Sequence, residues 1–526
     1  MVYMPLTRAL LALSFGLILL YAAYQDPGAP SFSARLEVAI ESRMPTRVYI
    51  FKNDRSFKLQ PVQAVLPIKS DQFYRDRLWT DGNRDPDVLE VIVNDEYHYL
   101  LLKGQATFHL PPGKYRMEIY RGFFYTPARE EFELKAEQTH KLAISLKPWE
   151  GVDPQEWISG DDHIHLTRTQ REDPVYLRWL KAEDLSVGNF LQLQRQVDAA
   201  TQYAFGKKGE FKRGAYTIRP GQETRNETFG HTIILGADKL MRPLSTGAAL
   251  ANSPDDYPFH GLLLDAGRKA GGTIGYAHFR QRPVKSTLYM DLAMGRLHFL
   301  EVFQFGVLTT EPWYELLNAG FRFTGLAGSD FPAHLGRLKP YPRWIPLLGP
   351  ERALVKAHGG GDLYETWAAG IRAGNVVLTN GPLVEIAIDE ATNTAKATAA
   401  FFRPLEVLEI VRNGVVVASV RGDGRQPRLS ATVKLNCAES CWAAARVKAH
   451  KEDAEPNLQA HTNAVYITRG GKPVMVRAAR QSIVDQWAAE IAQYCKAGLV
   501  FTPAQSKEFF DQAELALAAL RRPLEQ

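Results

Sequence analysis

A chain of 526 residues is too long for one ordinary core, so roughly two to four domains are expected. Its 45% hydrophobic and 23% charged residues are those of a globular protein. The net charge of +5 is small for this length, and no basic run is interleaved with aromatics, which argues against a nucleic-acid partner.

The N-terminus, "MVYMPLTRALLALSFGLILLYAAYQDPGAP", has one arginine and then an apolar stretch from Ala9 to about Tyr24. It reads as a secretory signal, with Ala22 or Ala23 the best cleavage point, and it is slightly short for a spanning helix. Residues 1–30 are therefore a signal peptide or, alternatively, a membrane tether formed by residues 9–24. The expected location is periplasmic or secreted. From 31 to 149 the chain reads as short strands ("RLEVAIE", "TRVYIFK", "VLEVIVN", "YHYLLLK", "KYRMEIYRG", "HKLAISLK") separated by turn stretches such as "LPPGK", the pattern of a β-sandwich. His98, His109 and His140 fall here without carboxylates at ligand spacing and read as ordinary sandwich residues.

From 150 to 382 apolar runs alternate with helical stretches. "PVYLRWLKAEDL" is helical and "SVGNFLQL" strand-like; "YPFHGLLLDAGRKAGG" is helical, with "TIGYAHF" a strand after it. The series continues with "LHFLEVFQF", the helix "EPWYELLNAG" and the strand "FTGLAGSDF". This alternation predicts an α/β barrel or doubly wound sheet. Strands dominate again over 383–475, and 476–526 reads as a helical tail. Cys437 and Cys441, in "LNCAESCWAA", can be bridged outside the cytosol, and no second pair completes a zinc site with them. Cys495, on a predicted helix, reads as a buried free thiol.

Polar clusters of metal-ligand type lie where the strands of the 150–382 region should end. They are His163 and His165 in "DDHIHL", Glu223 and His231 in "PGQETRNETFGHTIILG", His278 in "TIGYAHF", and Asp330 in "GLAGSDF". Residues i and i+2 of a strand share a face, so His163 and His165 can bind one ion. Imidazole and carboxylate ligands suit zinc, manganese or iron. Each residue also has an ordinary reading: surface histidines for His-x-His, a hydrogen-bonded core histidine for His278, a helix cap for Asp330, a solvated charge for Glu223. Their joint arrival at strand ends favours the metal. No G-x-S-x-G elbow occurs, "HGGGD" lacks the Lys-Ser/Thr of a phosphate loop, and His260, His298, His334, His358, His450 and His461 read as structural or solvated.

The strings "WISGDDHIHL", "AEDLSVGNFLQLQRQ", "GQETRNETFGH", "GYAHF", "WYELLNAGFRFTGLAGSDFP" and "GIRAGNVVLTNGPL", spread in order over about 157–383, resemble the PHP (polymerase and histidinol phosphatase) superfamily. Within it they resemble the CehA/McbA-type, carbaryl hydrolase-like metallohydrolases. The resemblance implies a distorted (β/α)7 barrel flanked by an N-terminal β-sandwich and a C-terminal β-rich region. It implies that His163, His165 and Asp330 hold one ion, that His231 and His278 hold a second, and that Glu223 bridges them. The places of a third ion read Arg171, Gln192-Leu193 and Pro332, which implies two divalent ions, with zinc ahead of manganese or iron. Asp161 is expected to orient an imidazole from behind, and Asp330 to serve also as base. Trp313, Tyr314, Gln194 and Arg195 are pocket candidates by position. The expected activity is hydrolysis of an ester, carbamate or amide bond in a small-molecule substrate. A phosphoesterase, with Arg225 as its nearest cation, and a catalytically silent envelope-binding protein are the alternatives. The sequon at Asn226 adjoins Glu223 and His231, so no glycan is expected there.

Overall fold

Strand Ala34–Ile40 alternates buried and open residues, so one face of its sheet meets a core and the other meets solvent. In the computed structural model, which describes residues 32–57, 60–61, 64–69, 87–93, 96–194, 199–247, 255–279, 286–333, 342–357, 361–453 and 455–525, this strand belongs to a sheet with Gln60–Pro61, Gln105–Leu110 and Thr139–Ile144. A second sheet, including Thr46–Lys52, Glu96–Leu101, Gly113–Tyr120 and Ala128–Leu134, shares its core through Leu36, Val38, Ile50, Phe108, Met117 and Ile119. His98 is buried on the opposite face of that second sheet, with its ring 4.8 Å from that of Tyr49. The apolar stretch 9–24, Arg195, His334 and His358 lie outside the described residues, as does the side chain of Gln194. No helix among the described residues is long and apolar enough to cross a membrane.

The middle of the chain is α/β, as expected. Its strands are β1 (Trp157–Ile164), β2 (Val187–Gln194), β3 (Tyr216–Asn226), β4 (Gly230–Leu235), β5 (Thr273–Tyr276), β6 (Phe299–Gln304) and β7 (Thr324–Ala327). All eight residues of β1 are buried, the mark of a strand covered on both faces. Pairing is parallel from β1 through β2 to β3, antiparallel from β3 to β4 and from β4 to β5, and parallel again to β6 and β7. A bridge between Ile164 and Phe331 brings the end of the series back to β1: His165 N–H donates to Phe331 O at 2.7 Å and Phe331 N–H to His163 O at 3.1 Å. The intervening helices include α1 (Asp173–Ala182), α2 (His260–Lys269) and α3 (Thr310–Asn318), each where the 3.6-residue pattern placed one.

Strand β8 (Arg352–Lys356) lies antiparallel to the first half of β1. It is followed by α4 (Leu363–Ala373), started by Asp362 and stopped by Gly374 at φ 79°, and by β9 (Val377–Thr379). Gln459–Thr462 pairs with β9, so strands of the β-rich C-terminal part continue the same hydrogen-bonded sheet. Helices α5 (Arg477–Ala497) and α6 (Pro503–Glu525) close the chain, burying Trp487, Phe509 and Leu520. Cys437 and Cys441 are disulfide-bonded. Cys495 is exposed rather than buried. The buried residues of α5 include Val484, Trp487, Ile491 and Tyr494, and Cys495, two residues from the helix end at Ala497, is not among them.

Candidate metal centre

The alternation of strand residues delivers the first ligands. His163 and His165 leave the end of β1 on its inner face; Glu223 and Arg225 do the same on β3, where Arg225 stands in register with His231 of β4. His278 follows β5 at φ 53° and Asp330 follows β7 at φ 51°. Left-handed backbone at non-glycine residues costs of order 1–3 kcal/mol and persists where the surroundings over-determine it, often at functional sites. Here it turns each side chain back over the strand ends.

All six residues expected as ligands meet in one buried cluster, none more than 5% exposed. His163 Nε2 is 3.0 Å from His165 Nε2. Asp330 Oδ1 lies 3.5 and 3.4 Å from those two nitrogens. Glu223 faces both ways: Oε2 is 3.1 Å from His165 Nε2 and 3.6 Å from His163 Nε2, while Oε1 is 3.1 Å from His231 Nδ1 and 3.3 Å from His278 Nε2. Two overlapping triads, His163–His165–Asp330 and His163–Glu223–His278, have their donor atoms within 4.8 Å of one another.

The partners behind the rings fix which nitrogens are bare. His163 Nδ1 meets Glu301 Oε1 at 3.0 Å, His165 Nδ1 meets Leu191 O at 3.3 Å, and His278 Nδ1 meets Gln304 Oε1 at 2.6 Å. Each of those oxygens accepts, so each Nδ1 carries the proton and each Nε2 presents a lone pair. Three ring nitrogens and two carboxylates thus converge on one space, an arrangement that calls for positive charge there, and against its burial Glu301 and Asp330 accordingly raise the His163 imidazole well above its ordinary value. Donors 2.0–2.1 Å from a tetrahedral ion sit about 3.3 Å apart, close to the spacings found. Neither ring nitrogen of His231 makes a hydrogen bond among the described residues. The donor set therefore fits divalent metal.

Burial alone would raise the Glu223 carboxyl; the Arg225 guanidinium and the surrounding imidazoles outweigh it and hold it well below the usual range. Asp330 is also held low, the imidazoles of His163, His278 and His165 overcoming its burial.

Asp161 does not orient an imidazole. Its carboxylate accepts the backbone N–H of His163 at 3.0 Å, the N–H and hydroxyl of Ser329 at 3.0 and 2.6 Å, and the N–H of Gly349 at 3.0 Å. It ties the end of β1 to the segment carrying Asp330, and Glu301 does the work expected of it. Glu301 and Gln304, which the sequence reading missed, stand on β6 inside a run that reads only as an apolar strand. Trp313 and Tyr314 pack as core around His461, the Tyr314 hydroxyl meeting His461 Nε2, so neither reaches the cluster. At the places of a third ion, Arg171 is exposed, Leu193 and Pro332 are buried, and Gln192 Oε1 accepts Gln202 N–H at 2.7 Å. Asn226 is buried, its amide donating to Thr246 Oγ1 at 2.8 Å, which leaves no room for a glycan in the folded chain. A groove of about 870 Å³ at the opposite end of β1, bordered by Trp157, Lys356 and Glu385, shares no residue with the cluster.

No family model matches the chain, and no curated protein matches it. Among solved structures it is similar to the lesion-specific endonuclease PfuEndoQ from Pyrococcus furiosus, at 13% identity and a TM-score of 0.27. The match covers 41% of this chain and 56% of that one, little more than half its length. At so low a TM-score the likeness carries no argument about function, which rests on the cluster of His163, His165, Glu223, His231, His278 and Asp330.

Proposed function

We propose that the chain is a PHP-type hydrolase of the CehA/McbA kind, holding two divalent ions and cleaving an ester, carbamate or amide bond in a small molecule. The observation that carries this is Glu223, whose two oxygens face two separate pairs of histidines. His163, His165 and Asp330 would hold one ion, His231 and His278 the other, and Glu223 would span them; zinc suits this nitrogen-rich set, with manganese or iron as alternatives. The ions would acidify water and polarise the oxygen of the scissile group. Asp330, a member of the cluster, would accept the proton of the attacking water. Glu301 and Gln304 keep the Nδ1 protons of His163 and His278 in place, so the rings hold one tautomer throughout.

The phosphoesterase alternative needs a cation open to phosphate. Arg225 is instead engaged with Glu223, its Nε 2.9 Å from Oε2, which favours a carbonyl substrate. Export is part of the proposal, motivated by the apolar stretch 9–24 and by the Cys437–Cys441 disulfide, a bond at home in oxidising compartments.

The test is a screen of ester, carbamate and phosphate chromogens with metal analysis, comparing wild type with His163→Ala, His278→Ala and Asp330→Ala. The expected outcome is loss of at least a hundredfold in rate for each variant on a carbonyl chromogen, with reduced metal content. Variants as fast as wild type would overturn the site. Wild type holding less than one metal per chain, and indifferent to added zinc or manganese, would instead indicate the binding protein.

A further inference from the structure

One guanidinium grips a single oxygen of the shared carboxylate through a hydrogen bond and a close ion-pair contact. Arg225 Nε donates to Glu223 Oε2 at 2.9 Å, and Nη2 lies 2.8 Å from the same atom. Both residues project from β3 two positions apart, hence from one face, and they are 2% and 0% exposed. The arginine backbone is itself held, its N–H donating to Leu244 O at 2.9 Å. A carboxylate torsion is broad and roughly twofold when left alone. Here the grip on Oε2 fixes it, leaving Oε1 turned to His231 and His278.

We infer that Arg225 is the positioning residue that keeps Glu223 spanning the two metal positions, and that it makes those positions unequal. Oε2, which faces His163 and His165, shares its charge with the guanidinium, so an ion there depends on Asp330 for a full negative charge. Oε1 is the nearest carboxylate oxygen to the ring nitrogens His231 Nδ1 and His278 Nε2, at 3.1 and 3.3 Å, while Glu227 comes only within 3.8 Å of His231 Nε2. An arginine suits this role because it stays charged at every working pH and its planar fork can place two donors on one partner. The inference rests on the two-metal reading of the same site.

The experiment is a Mn²⁺ titration of the metal-free full chain followed by electron paramagnetic resonance, in which free ion, isolated bound ion and coupled ion pair give separate signals. Wild type is expected to take up two ions and show the coupled signal. Arg225→Met should lose at least fivefold of that signal at two equivalents, and Arg225→Lys, which keeps the charge with fewer placed donors, should fall between them. If both variants keep the wild-type coupled signal, the role of Arg225 is overturned while the two-metal reading stands. If wild type binds one ion or shows no coupled signal, the two-metal reading itself fails. Should Arg225→Met not fold by circular dichroism, the lysine variant alone decides: a wild-type signal overturns the inference and a reduced one supports it.

Discussion

Glu351 is a carboxyl group with almost no access to water: it is 2% exposed, and its Oε1 accepts the N–H of Gly306 at 2.7 Å. Gly306 follows Phe305, whose ring lies 6.3 Å from that of His278, so this contact borders the metal cluster without touching a ligand. Burial pushes the carboxyl up to about 8; the Gly306 N–H opposes this, and the nearby charges of Asp161 and Glu301 reinforce it. Between the ordinary value of 4.5 and about 8 the folded chain holds a proton that the unfolded chain has released. Stability from this group is therefore complete below 4.5 and is lost as pH rises through 8, a difference on the order of 5 kcal/mol. Glu351→Gln keeps an acceptor for Gly306 without a titrating proton. Urea midpoints at several pH values between 5 and 9 should show wild type losing ground to the variant steadily as pH rises; parallel profiles would sink this account. The same scale shows what single residues disclosed in advance. His163 and His165 were legible because a strand turns a spacing of two into a shared face. Glu301 was not, because its role depends on which strands become neighbours across the ring, and nothing local in "LHFLEVFQF" carries that. Asp161 was seen but misjudged for the same reason: two of its partners, Ser329 and Gly349, arrive from far along the chain.

At the scale of the element, the sequence was most informative where a local signal and the tertiary need coincide. Helix α4 is such a case. Asp362 accepts the N–H of Glu365 at 3.2 Å as its N-cap, Gly374 supplies the left-handed stop, and Trp367 and Ile371 point inward. Asp362→Ala removes the cap and should destabilise the chain by about 1 kcal/mol, within a range of roughly 0.5–2. Asp362 also meets Lys207 and Lys212 at 3.1 and 2.9 Å. Both lysines are more than half exposed, so those pairs should add little, and raising salt should leave most of the effect in place. A denaturant midpoint unchanged in the variant would show that neither the cap nor the lysine pairs contribute, and a loss that disappears at high salt would show that the lysines rather than the cap carry it. What no local signal could give was the order of strands. Strand β4 runs antiparallel inside an otherwise parallel series because a short turn leads from β3 straight into it, whereas parallel neighbours need a crossover. The alternation of apolar runs in sequence is the same either way.

For the whole molecule, the metal cluster is held in a frame that reaches the N-terminal sheets. Arg47, from the strand Thr46–Lys52, is buried and pairs with the buried carboxylate of Glu183, just past α1; its Nη2 also donates to Arg343 O and Trp344 O at 2.9 and 3.2 Å. Glu183 O and Asp184 O accept from Arg352 at 3.2 and 3.1 Å, Arg352 Nε donates to Gly349 O at 2.8 Å, and Gly349 N–H donates to Asp161. A run of polar contacts thus leads from the first sheets to the carboxylate that fixes the backbone of His163. None of it was legible in sequence, since Arg47 and Glu183 are 136 positions apart and neither sits in a motif. Arg47→Met keeps the bulk but leaves Glu183 as a buried charge without its counter-ion, which typically costs 3–5 kcal/mol. Hydrogen exchange should then quicken in Thr46–Lys52 and in 342–352 before it quickens in β5 or β6, because the loss is local to that junction. Adding Glu183→Gln removes the stranded charge, so the double variant should regain a large part of the stability lost by the single one. If instead the double variant is less stable than Arg47→Met alone, the hydrogen bonds that Glu183 makes matter more than its charge, and the junction is held by its polar network rather than by the ion pair.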